Sequence, residues 1–287
     1  MRLYSTAVGI AREDSPGLLS VLDLEHSDVG DLLRRGELEV ARNAEVKSIH
    51  PLGELTLRAP VASPGQMFIA GLNYLSHAEE ARAMLAEMGR EFPAVPTTPT
   101  FELLPTTTAD GPESTIEFPN EAPAQVDYEG ELTVVIGRTA SDVPPEHAWD
   151  HVAGLTIAND LTARDVQMRA LTGDSTVTVA ESKSYATFKP MGPCLVTADE
   201  FSLPIDLRLR TRVNGDVRQD DRTSNVLFDC AALVSALSAQ HRLEPGDVIL
   251  TGTPSGAGVF SKVFLTEGDV IEIEIDRIGT LRNQVAR

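Results

Sequence analysis

Three acidic residues define the chemistry this sequence could carry. Glu129 and Glu131 stand two apart where Asp127-Tyr128-Glu129-Gly130-Glu131-Leu132 leads into an apolar run ending at Ile136. On a strand, residues two apart point to one face, so both carboxylates project side by side with Tyr128 and Leu132 opposite. An E-x-E pair alone also suits a polar strand face in water. Asp160 is the third acid, at the close of the apolar run Leu155-Thr156-Ile157-Ala158. Neighbouring carboxylates entering buried structure repel each other and lose hydration, and a cation relieves both problems. Oxygen-only ligands suit a hard ion: Mg²⁺, with Mn²⁺ or Ca²⁺ as alternatives.

Three further signals carry chemistry only in combination. His77 and Glu80 are three residues apart at the start of an expected helix, where they share a face and can hydrogen-bond; a His polarised by a Glu serves as a general base on water. Ser76 and Glu79 have capping-box spacing. Lys183 reads either as a surface salt bridge with Glu181 or another acid, or as an ammonium for a substrate carboxylate or enolate. Thr251-Gly252-Thr253-Pro254-Ser255-Gly256-Ala257-Gly258 is either a tight turn or a loop whose free N–H groups suit an anion. It lacks the pattern of a Walker or a dinucleotide loop. Thr162 with Asp165 has the spacing of a helix N-terminal cap.

These residues must be positioned by a β-rich chain. Residues 1–65 are expected to form a small N-terminal α/β domain, with a short helix from Ser27 that stops near Gly36, and 66–287 a catalytic domain. In the second unit the spacing predicts a strand at Met67–Ala70, a helix over Ser76–Met88 and a long surface segment from Phe92 to Pro123. Buried strands at Leu132–Ile136 and Leu155–Ala158 follow, with a helix from His147 to Val152 between them. A hairpin at Asn214-Gly215 precedes an amphipathic helix over Asn225–Gln240. Strict alternation marks Ile271–Ile275 as a half-exposed strand. The class is α+β rather than a regular βαβ alternation.

Of 287 residues, 42% are apolar and the net charge is −19, so a sizeable core can form and nucleic-acid binding is not expected. Cys194 and Cys230 sit among apolar neighbours without C-x-x-C spacing, which points to buried, inert thiols. Neither a signal peptide nor an apolar stretch of about 18 residues is seen, so the expectation is a cytoplasmic protein with no membrane partner.

The signals gain specificity from their order. G-L-N-Y-x-x-H-x-x-E, D-Y-E-x-E-L-x-V-V-I-G, N-D-x-T-A-R-D-x-Q, K-S-Y and T-G-T-P-x-G-x-G, from about Met67 onward, closely resemble the fumarylacetoacetate hydrolase family, its acylpyruvase and 2-hydroxyhepta-2,4-diene-1,7-dioate isomerase-like branch. The resemblance implies a mixed β-roll, a homodimer, and a divalent cation held by Glu129, Glu131 and Asp160. It implies catalytic roles for His77, Glu80 and Lys183, and places Arg164, Gln167 and Thr253 near the polar end of a small 2-oxo acid substrate. Relatives often carry a lysine in the segment corresponding to 101–105, and Asp where Ala186 stands. The implied activity is C–C bond hydrolysis of an acylpyruvate-type 2,4-dioxo acid that releases pyruvate. The alternative is isomerase, decarboxylase or hydratase chemistry on a related acid.

Overall fold

The computed structural model describes every residue except 88, 93, 106, 107, 121–123 and 287. Met88, the expected end of one helix, and part of the 92–123 segment therefore lie outside the described residues.

The chain opens with β1 (Arg2–Thr6), β2 (Gly9–Ser15), β3 (Leu18–Leu22), α1 (Val29–Arg34), α2 (Leu38–Asn43), β4 (Val46–Pro51) and β5 (Leu57–Arg58). Asp28 caps α1 by accepting from the Asp31 N–H. Then come β6 (Met67–Ala70), α3 (Leu75–Glu87), β7 (Phe101–Leu103), β8 (Thr115–Glu117), β9 (Val126–Asp127), β10 (Gly130–Ile136), α4 (Pro145–Ala148), β11 (Val152–Asn159), β12 (Thr162–Ala163) and α5 (Arg164–Leu171). The remainder is β13 (Met191–Thr197), β14 (Arg208–Val213), β15 (Asp216–Arg222), α6 (Cys230–Ser238), β16 (Val248–Leu250), α7 (Gly258–Ser261), β17 (Val270–Ile275) and β18 (Gly279–Ala286).

The large sheet runs β4-β3-β2-β1-β13-β11-β10-β16-β6-β7, with β5 beside β1, and the smaller one runs β15-β14-β17-β18-β8. Most pairs are antiparallel, but β16 with β6 and β18 with β8 are parallel. This is the β-rich mixed-sheet fold the sequence led one to expect. The N-terminal strands join the large sheet through β1 and β13, at Arg2↔Val196 and Leu3↔Leu195.

Period-two alternation builds the core. Leu132, Val134 and Ile136 of β10 pack with Leu209, Ile271, Ile273 and Ile275 of the smaller sheet in one buried cluster. Val135, facing the other way, packs with Val29, Leu32, Met67 and Val248. Tyr128 and Leu132 belong to the first cluster, so the acids between them in sequence take the other side. Among the described residues no helix is long and apolar enough to cross a membrane.

Three local expectations give way to tertiary contacts. α3 begins at Leu75, so Ser76 lies inside its first turn; its hydroxyl donates to Asp221 at 2.6 Å and accepts from the Ser255 N–H instead of closing a capping box. Thr162 does not cap α5: Ala163 takes that position and the Thr162 hydroxyl donates to the Asp160 carbonyl at 3.0 Å. The helix expected over 225–240 is only Cys230–Ser238, capped by Asp229. Asn73 ties down the preceding segment, its carbonyl accepting from the Leu227 N–H and its side chain from the Phe228 N–H. The stretch at 147–152 similarly resolves into α4 and a single 3₁₀ turn, Trp149–His151.

Candidate active site

The β10–β11 pair brings the three acids together. Its ladder places Glu131 opposite Ala158 and Gly130 opposite Asn159, and the Asp160 N–H donates to the Glu129 carbonyl at 2.8 Å. Glu129, Glu131 and Asp160 each present a carboxylate oxygen within 4.8 Å of the others, and all three are buried. Gly130 lets the smaller sheet approach: a Cβ there would collide with Thr211 and crowd Ile273.

The surrounding charges are buried as well. Lys183, on a 3₁₀ turn at Glu181–Lys183, donates to Glu129 at 2.7 Å and to Asp160, so it is neither a surface residue nor a partner of Glu181. Arg164 spends its guanidinium on three groups: Asp127 at 2.8 Å, Glu129 at 2.5 Å and the Gln167 amide oxygen at 2.8 Å. Arg164 and Lys183 hold Glu129 well below the usual carboxylate range even though burial alone would raise it. Burial, reinforced by Asp160 and Glu129, pushes Glu131 well above that range.

Two residues that sequence reasoning missed complete the cluster. Lys189 is buried with its Nζ 2.8 Å from Asp160 Oδ1, and it also donates to the Phe188 carbonyl. Burial lowers its pKa. Its only sequence signal is a lysine between Phe188 and Pro190 just ahead of an apolar strand. Asp127 accepts from the N–H groups of Tyr128, Gly258 and Val259 in addition to Arg164, tying β9 to α7. Replacing Asp127 with alanine is therefore expected to lower unfolding free energy by about 3–5 kcal/mol, because it leaves Arg164 buried beside a single carboxylate. Urea melts of D127A against wild type check this.

Does a divalent cation suit this cluster? Four buried carboxylates (Asp127, Glu129, Glu131, Asp160) face three buried cations (Arg164, Lys183, Lys189), which leaves one negative charge in excess. Glu131 has no cation against it among the described residues; the Gly252 N–H at 2.7 Å is its hydrogen-bond donor. Three buried carboxylates with oxygens this close together form an all-oxygen donor set that suits a hard divalent ion.

A cavity of about 430 Å³ opens beside the cluster, lined by His77, Glu129, Glu131, Arg164, Gln167, Lys183 and Thr253. His77 lies edge-on to Phe260 at 5.2 Å, and its Nδ1 is buried without a partner. Burial drives its pKa down to about 4; Glu129 opposes that shift, while Arg164 and Lys183 add to it. The expected His77–Glu80 hydrogen bond is absent, the atoms being 4.0 Å apart. Both Glu80 oxygens instead accept from the Gly256 N–H at 3.0 and 3.1 Å, a geometry that needs glycine because φ there is +101°. The 251–258 loop likewise gives its N–H groups to the chain's own acids: Gly252 to Glu131 and Gly258 to Asp127. Thr253 donates to the Gly130 carbonyl and accepts from Gln219.

A mixed β-rich fold thus encloses a buried carboxylate–lysine centre with an adjoining cavity. Comparison with known proteins gives the family. The fumarylacetoacetate (FAA) hydrolase C-terminal family profile matches residues 66–286. The chain is 36% identical to oxaloacetate tautomerase fahd2, mitochondrial, of Xenopus laevis, over 98% of this chain and 86% of that protein. Among solved structures, a putative HpcE protein from Mycobacterium smegmatis superposes with TM-score 0.84 at 32% identity, covering 100% of this chain and 99% of that one. Maleylpyruvate hydrolase from Sphingobium sp. SYK-6, in complex with manganese(II) and pyruvate, superposes with TM-score 0.76 at 27% identity, covering 100% and 99%. The chain belongs to the fumarylacetoacetate hydrolase family and is an enzyme.

Proposed function

We propose that this enzyme is a divalent-cation-dependent hydrolase that cleaves the C3–C4 bond of an acylpyruvate-type 2,4-dioxo acid and releases pyruvate. One observation carries the reading: a neutral, half-buried base, His77, and a buried ammonium, Lys183, face the same cavity as Glu129 and Glu131. Glu129, Glu131 and Asp160 would hold the divalent ion, which when bound would supply Lewis-acid stabilisation to the 2-oxo acid.

The chain's own residues do the rest. Lys183, fixed by Glu129 and Asp160, puts positive charge where the enolate develops. His77 takes a proton from water as the water oxygen adds to C4. The C3–C4 bond then breaks, its electron pair passes to the enolate of pyruvate, and the proton on His77 returns to C3. The products are pyruvate and the carboxylic acid of the acyl group.

Tautomerisation is the second reading, favoured by the 4.0 Å gap between His77 and Glu80. A lone histidine suffices to move a proton between carbon and oxygen, and the Xenopus relative is named for that reaction. A coupled lactate dehydrogenase assay separates the two. With Mg²⁺ and 2,4-dioxopentanoate, the expected result is pyruvate in equal amount to the acid consumed. Loss of enol absorbance without pyruvate assigns tautomerisation; neither change rejects both.

A further inference from the structure

The cavity changes character along its length. α3 turns His77, Ala81 and Met84 toward it, and α5 turns Arg164, Gln167, Met168 and Leu171. At 1.5 Å rise per residue, Met84 and Leu171 lie about 10 Å along their helices from His77 and Arg164. α3 is thus ionisable at His77 and apolar beyond it, α5 polar at Arg164 and Gln167 and apolar beyond them, and Val179 adds to the apolar lining.

Among the described lining residues no uncommitted cation stands at that far end to receive a second carboxylate. The cations among the described lining residues are Arg164 and Lys183, and both are committed to the buried acids. Apart from Glu129 and Glu131 of the cluster, the remaining carboxylate among the described lining residues is Glu102, on β7 opposite Ile69. A second carboxylate laid against Met84, Met168 and Val179 would give up hydration with no uncommitted cation among the described lining residues to receive it, which is unfavourable.

We infer that the substrate is a 2-oxo acid with a single carboxylate and an apolar far end, and that 2-oxo dioates of the same length are discriminated against. This rests on the proposed function only for placing the 2-oxo acid head at the carboxylate–lysine cluster, not for the reaction.

The test uses acids that lack the cleavable 4-oxo group. Calorimetric titration of the Mg²⁺-loaded protein with pyruvate, 2-oxooctanoate and 2-oxooctanedioate reads head and tail separately. The expected order is 2-oxooctanoate tightest, with the dioate at least about tenfold weaker. In Glu102→Lys the preference for the monoacid should shrink, because a cation then stands at the cavity wall. A dioate that binds wild type as tightly as the monoacid overturns the inference. Pyruvate binding as tightly as 2-oxooctanoate removes the apolar end, and binding of none of the three removes the head placement as well. If the order holds but no 2,4-dioxo acid yields pyruvate, the hydrolase reading falls and the inference stands.

Discussion

Replacing Glu131 with glutamine is expected to leave the fold intact while removing divalent-cation binding. Glu131 is 1% exposed and sits against two other carboxylates, with no ion pair of its own among the described residues. Its hydrogen bond comes from the Gly252 N–H, and a glutamine carbonyl accepts that bond equally well. The variant deletes one buried negative charge from a cluster that has one too many, so the metal-free protein should be as stable as wild type or more so. Asp160 offers no such separation, because it lies between Lys183 and Lys189, and its loss would leave Lys189 buried without a carboxylate and Lys183 with Glu129 alone.

The readout is a pair of melts. Mg²⁺ or Mn²⁺ at about a hundredfold over Kd stabilises a one-site binder by about 2.7 kcal/mol, a shift of several degrees in Tm. Wild type should show that shift, E131Q should not, and its turnover should fall by more than about 100-fold. A cation-dependent rise in the Tm of E131Q would remove Glu131 from the ligand set.

Much of this centre is legible in the sequence because its parts obey strong local rules. The i, i+2 spacing of Glu129 and Glu131 fixes their common face, and an acid at the end of a buried run marks Asp160. What sequence does not reveal is which partner a group takes. His77 and Glu80 have the right helical spacing, yet the Gly256 N–H wins Glu80 because a backbone donor at φ +101° is rigidly aimed at it. The 251–258 loop does expose donors, but the chain's own acids occupy them. Lys189 has no periodic signature at all; only the fold brings it to Asp160. The apolar end of the cavity assembles Met84 and Leu171 from two helices far apart in sequence, so no window of sequence contains it.

Replacing His77 with alanine should lower kcat by about 10²- to 10⁴-fold while leaving the cation-dependent shift in Tm unchanged. The split follows from position: His77 faces the cavity with a buried, unpartnered Nδ1 and is not among the clustered oxygen ligands. His77→Gln keeps more of the packing on Phe260 and guards against a folding defect being read as lost chemistry. The pH dependence has a definite sign. With its pKa pushed down to about 4, His77 is a neutral base throughout the neutral range, so its acid limb in kcat/KM belongs near pH 4, not 6.5. The same depression means the unfolded chain takes up this proton first. Stability therefore falls as pH drops from about 6.5 through 4, and that component disappears in H77A. Glu129, Arg164 and Lys183 set the local field, and Glu80 is held at 4.0 Å by its bond to Gly256, so the proton must come from water or substrate rather than from a resident dyad. An H77A enzyme that turns over at the wild-type rate would move the proton transfer to another group.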